Sequence, residues 1–217
     1  MNVEVMDLGF QGREEAIASF LLRGPEGAIL IECGPESTRE NLLRELESRG
    51  VAVSDIQGLF VTHIHLDHAG AAGWFASQGV PRYVHPKGAR HLVDPEKLVS
   101  SARQVYGDQF DELWGGMTPA PEEKVIALED GESVAVAGLS VTALATPGHA
   151  FHHHAYETSN VLFAGDAAGA RIGDSGFLSV TSAPPQFHLE HTLASIARLQ
   201  ERNAEALYLT HFGSVPD

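Results

Sequence analysis

The sequence predicts an α/β fold, and three observations carry that prediction. Short apolar, β-prone runs recur between Gly-rich or Pro-Gly breaks, beginning with Val3 to Met6, Ile17 to Leu22 and Ala28 to Glu32. Separate stretches carry apolar residues at helical spacing. Finally, four ligand-type residues within six, His63, His65, Asp67 and His68, follow directly on the apolar run Gly58 to Val61, so chemistry gathers where a strand ends.

Taken in order, the first three runs predict an antiparallel meander ending at Glu32-Cys33-Gly34. Ser37-Thr38-Arg39-Glu40 fits a capping box, Leu42, Leu43 and Leu46 make an apolar stripe, and Gly50 can end that helix. The strand Gly58 to Val61 then leads into the His/Asp cluster. Ala71 to Ser77 continues as a helix of small residues, and Arg82 to His85 reads as the next strand. His85 and His91 are expected to be exposed polar groups. Asp94 to Trp114 has helical spacing through Leu98, Val105, Phe110 and Leu113 with a break at Gly107, and its Tyr106 and Trp114 are candidates to line a cleft.

Val125 to Leu128, Ser133 to Ala137 and Leu139 to Ala145, separated by Asp-Gly and Ala-Gly breaks, predict a second meander. Its last strand delivers His149 on a Pro-Gly turn. Pro184-Pro185 precede a helix from about Phe187 to Arg202 with a buried stripe of Leu189, Leu193, Ile196 and Leu199. His188 and His191 are expected on its solvated face, and Ala206 to Thr210 is a final strand ending at His211.

Composition narrows the function. The 217 residues suffice for one substantial core without a linker. A formal charge of −15 argues against nucleic acid and anionic membranes as partners. Cys33 is the only cysteine, so no intrachain disulfide is possible. The N-terminal stretch lacks the basic flank and long apolar segment of a leader, and no apolar run is long enough to span a bilayer. The expectation is a cytoplasmic, reduced protein. Gly165-Asp166-Ala167-Ala168-Gly169 lacks the Lys-Ser/Thr ending of a phosphate loop, which removes a nucleotide reading.

The cluster itself points to metal. A lone histidine is usually a satisfied or solvated polar group, but four ligand types in six residues are hard to explain that way. His63 and His65 are two apart, so in extended backbone they point the same way and can reach one ion. Asp67 and His68 are adjacent, and on a tight or helical turn they can reach a second ion beside it.

This segment resembles the His-x-His-x-Asp-His signature of the metallo-β-lactamase-fold hydrolases. Thr146-Pro147-Gly148-His149, Phe163-Ala164-Gly165-Asp166 and Leu209-Thr210-His211-Phe212-Gly213 are similar to that family's later landmarks, in order. The resemblance implies an αββα sandwich: two mixed sheets face each other, helices cover both outer faces, and the metal site lies at one edge. It implies that His63, His65 and His149 hold one ion, that Asp67, His68 and His211 hold the other, and that Asp166 bridges. Asp67 would also act in catalysis, orienting a metal-bridging hydroxide and accepting its proton. The donor set implies two divalent ions, zinc first, with iron or manganese as alternatives.

Departures from the family pattern refine the expectation. Glu32 and Cys33 stand where the family carries an aspartate and a small polar residue, and Glu32 is a candidate to orient a ligand from behind. His153 matches a second histidine common in the His149 loop and is expected to support it, with His152 and His154 as partly exposed strand residues. True β-lactamases carry Cys or Ser where Asp166 stands, which directs the expectation to esters, thioesters, lactones or phosphodiesters. Flavodiiron proteins carry Glu at the position of His65. Lactonases that degrade signalling lactones often have a tyrosine where Gly169 stands, and glyoxalase II enzymes carry a glutathione-binding tail not found here.

The resulting expectation is a dinuclear metal-dependent hydrolase of a small ester, thioester or lactone. Its partner would be a small-molecule substrate, with no membrane and no nucleic acid. The alternatives are a mononuclear iron sulfur dioxygenase of the same fold and a metal-stabilised binding module without catalysis. The domain reading is a single domain over residues 1–217, which could lack the C-terminal helical extension common in the family.

Overall fold

The computed structural model describes residues 2–171 and 177–215. The opening meander forms as the sequence predicts: β1 (Val3–Asp7), β2 (Ala18–Gly24) and β3 (Gly27–Ile31) pair antiparallel. β4 (Ile56–Phe60), β5 (Arg82–Val84) and β6 (Val125–Ala127) then add in parallel, giving a six-stranded mixed sheet in sequence order.

The second sheet contains β7 (Ser133–Val136), β8 (Leu139–Ala145), β9 (His154–Thr158) and β10 (Val161–Gly165), all antiparallel. A short ribbon of β11 (Ala170–Arg171) and β12 (Leu178–Ser179) follows. β13 (Ala206–Leu209) then joins β10 in parallel, and β14 (Gly213–Val215) closes the edge. One expected pairing changes: Val125 to Leu128 belongs to the first sheet, not to the second meander. The Leu128 N–H donates to the Val84 carbonyl at 3.0 Å, and three residues later the Gly131 N–H donates to the Ala143 carbonyl at 2.8 Å, so the Asp130-Gly131 turn carries the chain from one sheet to the other.

Alternation along the strands builds three apolar layers. Phe20, Ile29, Ile31 and Phe60 point between the sheets and meet Val141, Tyr156 and Phe163 from the other side. Their neighbours Leu21, Leu30 and Leu59 point outward to α1 (Arg39–Ser48), α3 (Ala72–Ser77) and α4 (Pro86–Val93), which contribute Leu42, Leu46, Phe75 and Leu92. Leu144, Leu162 and Leu209 of the second sheet pack outward with Leu199 of α7 (Leu189–Glu201). Helices therefore cover both outer faces of two facing mixed sheets, the predicted αββα sandwich. The short α2 (Leu66–Ala69) sits at the sheet edge directly after β4.

Three helical details depart from expectation. The capping box does not form: a 3-10 turn over Glu36–Thr38 precedes α1, and it diverts both hydroxyls to carbonyls, Ser37 to Leu113 at 2.6 Å and Thr38 to Pro35 at 3.1 Å. The stripe on α5 (Glu96–Tyr106) buries no residue, whereas Phe110 of α6 (Phe110–Trp114) is fully buried. On α7 the buried residues are Thr192, Ser195 and Leu199, while Leu189 and Leu193 are each 58% exposed. Close approach explains that rotation. A Cβ at Gly148 would lie 2.4 Å from the Thr192 hydroxyl, and Ser195 donates to the Pro147 carbonyl at 2.6 Å, so only a small polar face fits against this loop.

Candidate metal centre

The residues singled out in sequence meet at one edge of the sandwich, each delivered by the end of a strand. β4 delivers His63 and His65, α2 carries Asp67 and His68, β8 leads to His149, β10 to Asp166 and β13 to His211. Their donor atoms fall into three overlapping groups, each within 4.8 Å: His63, His65 and His149; His63, His68 and Asp166; Asp67, His68 and His211.

In the first group, His65 Nδ1 lies 2.9 Å from His63 Nε2 and 3.0 Å from His149 Nε2. In the last, His211 Nε2 lies 3.2 Å from Asp67 Oδ2, and His68 Nε2 lies 3.5 Å from the same oxygen. Asp166 faces both. Its Oδ2 is 3.3 Å from His149 Nε2, and its Oδ1 is 3.5 Å from His68 Nε2 and 3.7 Å from His211 Nε2.

The surroundings fix which nitrogen each ring offers. His149 Nδ1 lies 2.7 Å from the Thr181 carbonyl and His211 Nδ1 2.7 Å from the Ala16 carbonyl; a carbonyl only accepts, so both Nδ1 atoms carry the proton. His68 Nδ1 donates to Glu32 Oε1 at 3.1 Å by the same logic. The Thr62 hydroxyl donates to Glu32 Oε1, which leaves its lone pair to accept from His63 Nδ1 at 3.1 Å. All four rings thus turn Nε2 to the centre, the nitrogen that binds a metal once it carries no proton. His68 Nε2 and Asp166 Oδ1 are buried without any hydrogen-bond partner. Unsatisfied buried polar atoms are costly, and a shared cation would satisfy both, so the residues fit divalent ions.

Behind these residues Glu32 is the hub of a hydrogen-bond network. Fully buried, it accepts from the Thr62 N–H at 3.3 Å, the Thr62 hydroxyl, His68 Nδ1 and the Thr210 hydroxyl at 3.3 Å. Its φ of +65°, unusual for a residue with a Cβ, turns the chain beyond β3 toward α2. Cys33, also buried, donates its N–H to the His68 carbonyl at 3.0 Å and so steadies the backbone at His68. Behind Asp166, His153 Nε2 accepts the Asp166 N–H at 3.2 Å while His153 Nδ1 bonds the Thr146 hydroxyl at 2.8 Å, the supporting role expected of it. Gly165, at φ +52°, has no room for a Cβ: it would stand 2.6 Å from the Thr62 hydroxyl.

Electrostatics divide the centre in two. Burial holds the His63 imidazole well below its ordinary range and takes His65 down to about 3 despite the neighbouring Asp67 carboxylate. Around His68, burial also disfavours charge, but Asp67, Glu32 and Asp166 outweigh it and lift the imidazole to about 10. Burial would raise Asp67; His68 and His211 overcome it and hold the carboxyl below its usual range. On one side His63 and His65 are neutral imidazoles, and the other is an imidazolium–carboxylate network whose protons an ion would displace.

Other residues land elsewhere than expected. His152 and His154 are buried, not partly exposed: His152, in the turn before β9, packs against His63, and His154, the first residue of β9, against His85. His85 caps α4, accepting the Lys87 N–H at 3.0 Å, and His91 lines a cleft of about 920 Å³ over the centre. Tyr106 and Trp114 line the same cleft, as expected, and pack edge to face at 5.2 Å. Thr62, Thr210 and Thr181 were not singled out in sequence. Thr62 and Thr210 adjoin His63 and His211, a local signal; Thr181 carries none.

Comparison with known proteins agrees with this geometry. The metallo-beta-lactamase superfamily matches residues 12–211. The chain is 27% identical to a metallo-beta-lactamase fold-containing protein of Sulfurisphaera tokodaii over 72% of its own length and 60% of that protein's. It is 33% identical to a hydroxyacylglutathione hydrolase of Pseudomonas entomophila over 72% of its own length and 48% of the relative's, so it spans about half to three-fifths of these relatives. Among solved structures, an archaeal metallo-beta-lactamase superfamily protein from Sulfolobus tokodaii superposes with a TM-score of 0.81 at 24% identity, covering 99% of this chain and 81% of that one. A metallo-beta-lactamase family protein from Thermus thermophilus gives 0.75 at 26%, covering 99% and 75%. No helix among the described residues is long and apolar enough to cross a membrane. With the match running from before β2 through His211, the chain belongs to the metallo-beta-lactamase superfamily.

Proposed function

We propose that the protein is a dinuclear hydrolase of a small ester, thioester or lactone, using two divalent ions, zinc first and iron or manganese as alternatives. The observation that carries this reading is Asp166, whose two oxygens face the two ligand groups separately. The complete second group of Asp67, His68 and His211 favours two ions over a one-ion dioxygenase. The similarity to a hydroxyacylglutathione hydrolase supports the ester and thioester class.

Bound at such a site, two ions lower the pKa of water toward neutrality and polarise the substrate carbonyl. The protein's own contribution is positional. Burial keeps His63 and His65 neutral, Glu32 and the backbone carbonyls orient the rings of His68, His149 and His211, and the Asp67 carboxylate, on the cleft wall, orients the attacking water. In the balanced reaction the water oxygen bonds to the acyl carbon, the acyl C–O or C–S bond breaks, and the water's proton ends on the leaving alcohol or thiol.

Metal-reconstituted protein assayed against aryl esters, thioesters, lactones and a β-lactam tests the assignment. Turnover of the acyl substrates, abolished by chelation and restored by metal, is the expected result. A chelation-sensitive preference for the β-lactam overturns it.

A further inference from the structure

The cleft over the centre has walls of two different kinds. Leu98, Ala102 and Val105, at helical spacing on α5, all line it; Leu98 also packs against the core, but α5 buries no residue, so the stripe leaves apolar surface open to the cleft. Val105 and Val180, which both line the cleft, are 77% and 62% exposed. Exposed apolar side chains lining an open cleft are what an apolar ligand covers.

At its far side the cleft runs into a second groove of about 510 Å³, the two sharing His91, His152 and Gln186. Lys87 and Arg90 of α4 line this groove, and Lys97 lines the adjoining cleft. The only carboxylates lining either cavity among the described residues are Asp67 and Asp166, at the centre itself. That is a marked asymmetry in a chain with 29 acidic and 14 basic residues. Arg23, Arg39, Arg49, Arg103, Arg198 and Arg202 each pair with a carboxylate. Lys87, Arg90 and Lys97 form no ion pair among the described residues, as is also true of Arg13, Arg44, Arg82, Lys124 and Arg171, and Arg90 Nε donates to His91 Nε2 at 3.2 Å.

We infer that the substrate is a thioester or ester with an apolar acyl chain lying along α5 and a leaving group whose anionic end, phosphate or carboxylate, lies between Lys87 and Arg90. This rests on the hydrolase reading above and specifies its substrate. The scissile carbonyl would lie over the metal centre, between the apolar wall and the basic groove. Cations on the groove wall act chiefly on encounter and ground-state binding, so their effect belongs in KM and weakens with salt.

The test uses the full chain reconstituted with metal and four thioesters: octanoyl on N-acetylcysteamine, which is neutral; octanoyl on phosphopantetheine; octanoyl on glutathione; and acetyl on phosphopantetheine. An anionic octanoyl thioester is expected to exceed the neutral one by about tenfold in kcat/KM, mostly through KM, with the advantage shrinking in about 0.5 M salt. Whichever of phosphopantetheine and glutathione is faster identifies phosphate or carboxylate as the anion. Octanoyl should exceed acetyl by a similar factor, and the double variant Lys87→Glu, Arg90→Glu should bring the anionic-to-neutral ratio down toward one. Equal turnover of all four, or a ratio that survives charge reversal, overturns the inference and leaves the hydrolase reading intact. Turnover of none of the four by protein that holds two ions and hydrolyses aryl esters or lactones overturns the inference alone; turnover of neither set removes both.

Discussion

Replacing Glu32 by glutamine tests whether the ligand set is organised from behind. The carboxylate is fully buried and accepts from four donors, the Thr62 N–H and hydroxyl, His68 Nδ1 and the Thr210 hydroxyl. Glutamine keeps the shape but offers one accepting oxygen and two N–H donors, so at least one existing donor must face another donor. Losing a charge-assisted hydrogen bond costs about 1.5–3 kcal/mol, and a buried donor left unsatisfied about 1–3 kcal/mol. Allowing for relaxation, a loss of about 2–4 kcal/mol in stability is expected. The metal effect should be selective. His68 touches Glu32 directly, whereas His63 is linked to it only through Thr62. Affinity for the ion at Asp67, His68 and His211 should therefore fall about 10- to 100-fold, with a smaller change at the other group. Competition against a chromophoric chelator, beside urea unfolding, reads both quantities. Affinities for both ions unchanged within about twofold, with an unchanged unfolding midpoint, would refute the argument.

His211→Ala should remove one ion and spare the other held by His63, His65 and His149, with a steep fall in hydrolysis; a variant that still binds two ions would exclude His211 from the site. Because His68 is lifted to about 10, an ion entering its group at neutral pH must displace that proton. Metal titration in weakly buffered dye should show proton release, and affinity should rise with pH by about tenfold per unit for one displaced proton. In the metal-free protein the sign for stability is the reverse: His68's contribution is full below its unfolded pKa of ~6.5 and is lost as the pH climbs through about 10. Urea midpoints across that window check it, and a flat profile counts against it. Gly165→Ala should lower the thermal midpoint and impair metal binding together, since the new Cβ would lie 2.6 Å from the Thr62 hydroxyl and 2.8 Å from His153 Nε2 at a φ of +52°.

Much of the site was legible because metal chemistry restricts residue type and spacing so tightly. His63, His65, Asp67 and His68 announce themselves locally, and His149, Asp166 and His211 each end a strand with its own Gly or Pro punctuation. Strand alternation likewise made the meanders readable. What sequence reasoning missed depends on packing between distant segments. β6 looks like its neighbours β7 and β8 in composition, and only the Asp130-Gly131 crossover assigns it to the other sheet. On α7, leucine spacing pointed to the wrong face because the Gly148 loop admits only Thr192 and Ser195. The same limit hid the burial of His152 and His154, since a run of three histidines reads as polar until the facing rings are placed.

Metal content and activity measured on the same sample test the central claim most directly. Protein stripped by chelation is titrated with zinc, and bound metal by elemental analysis is compared with thioester hydrolysis at each step. Two ions per chain are predicted, with hydrolysis negligible in the stripped protein and reaching its maximum only as the second ion binds. Hydrolysis that persists at full rate in metal-free protein, or no bound metal after replete reconstitution, would contradict the account.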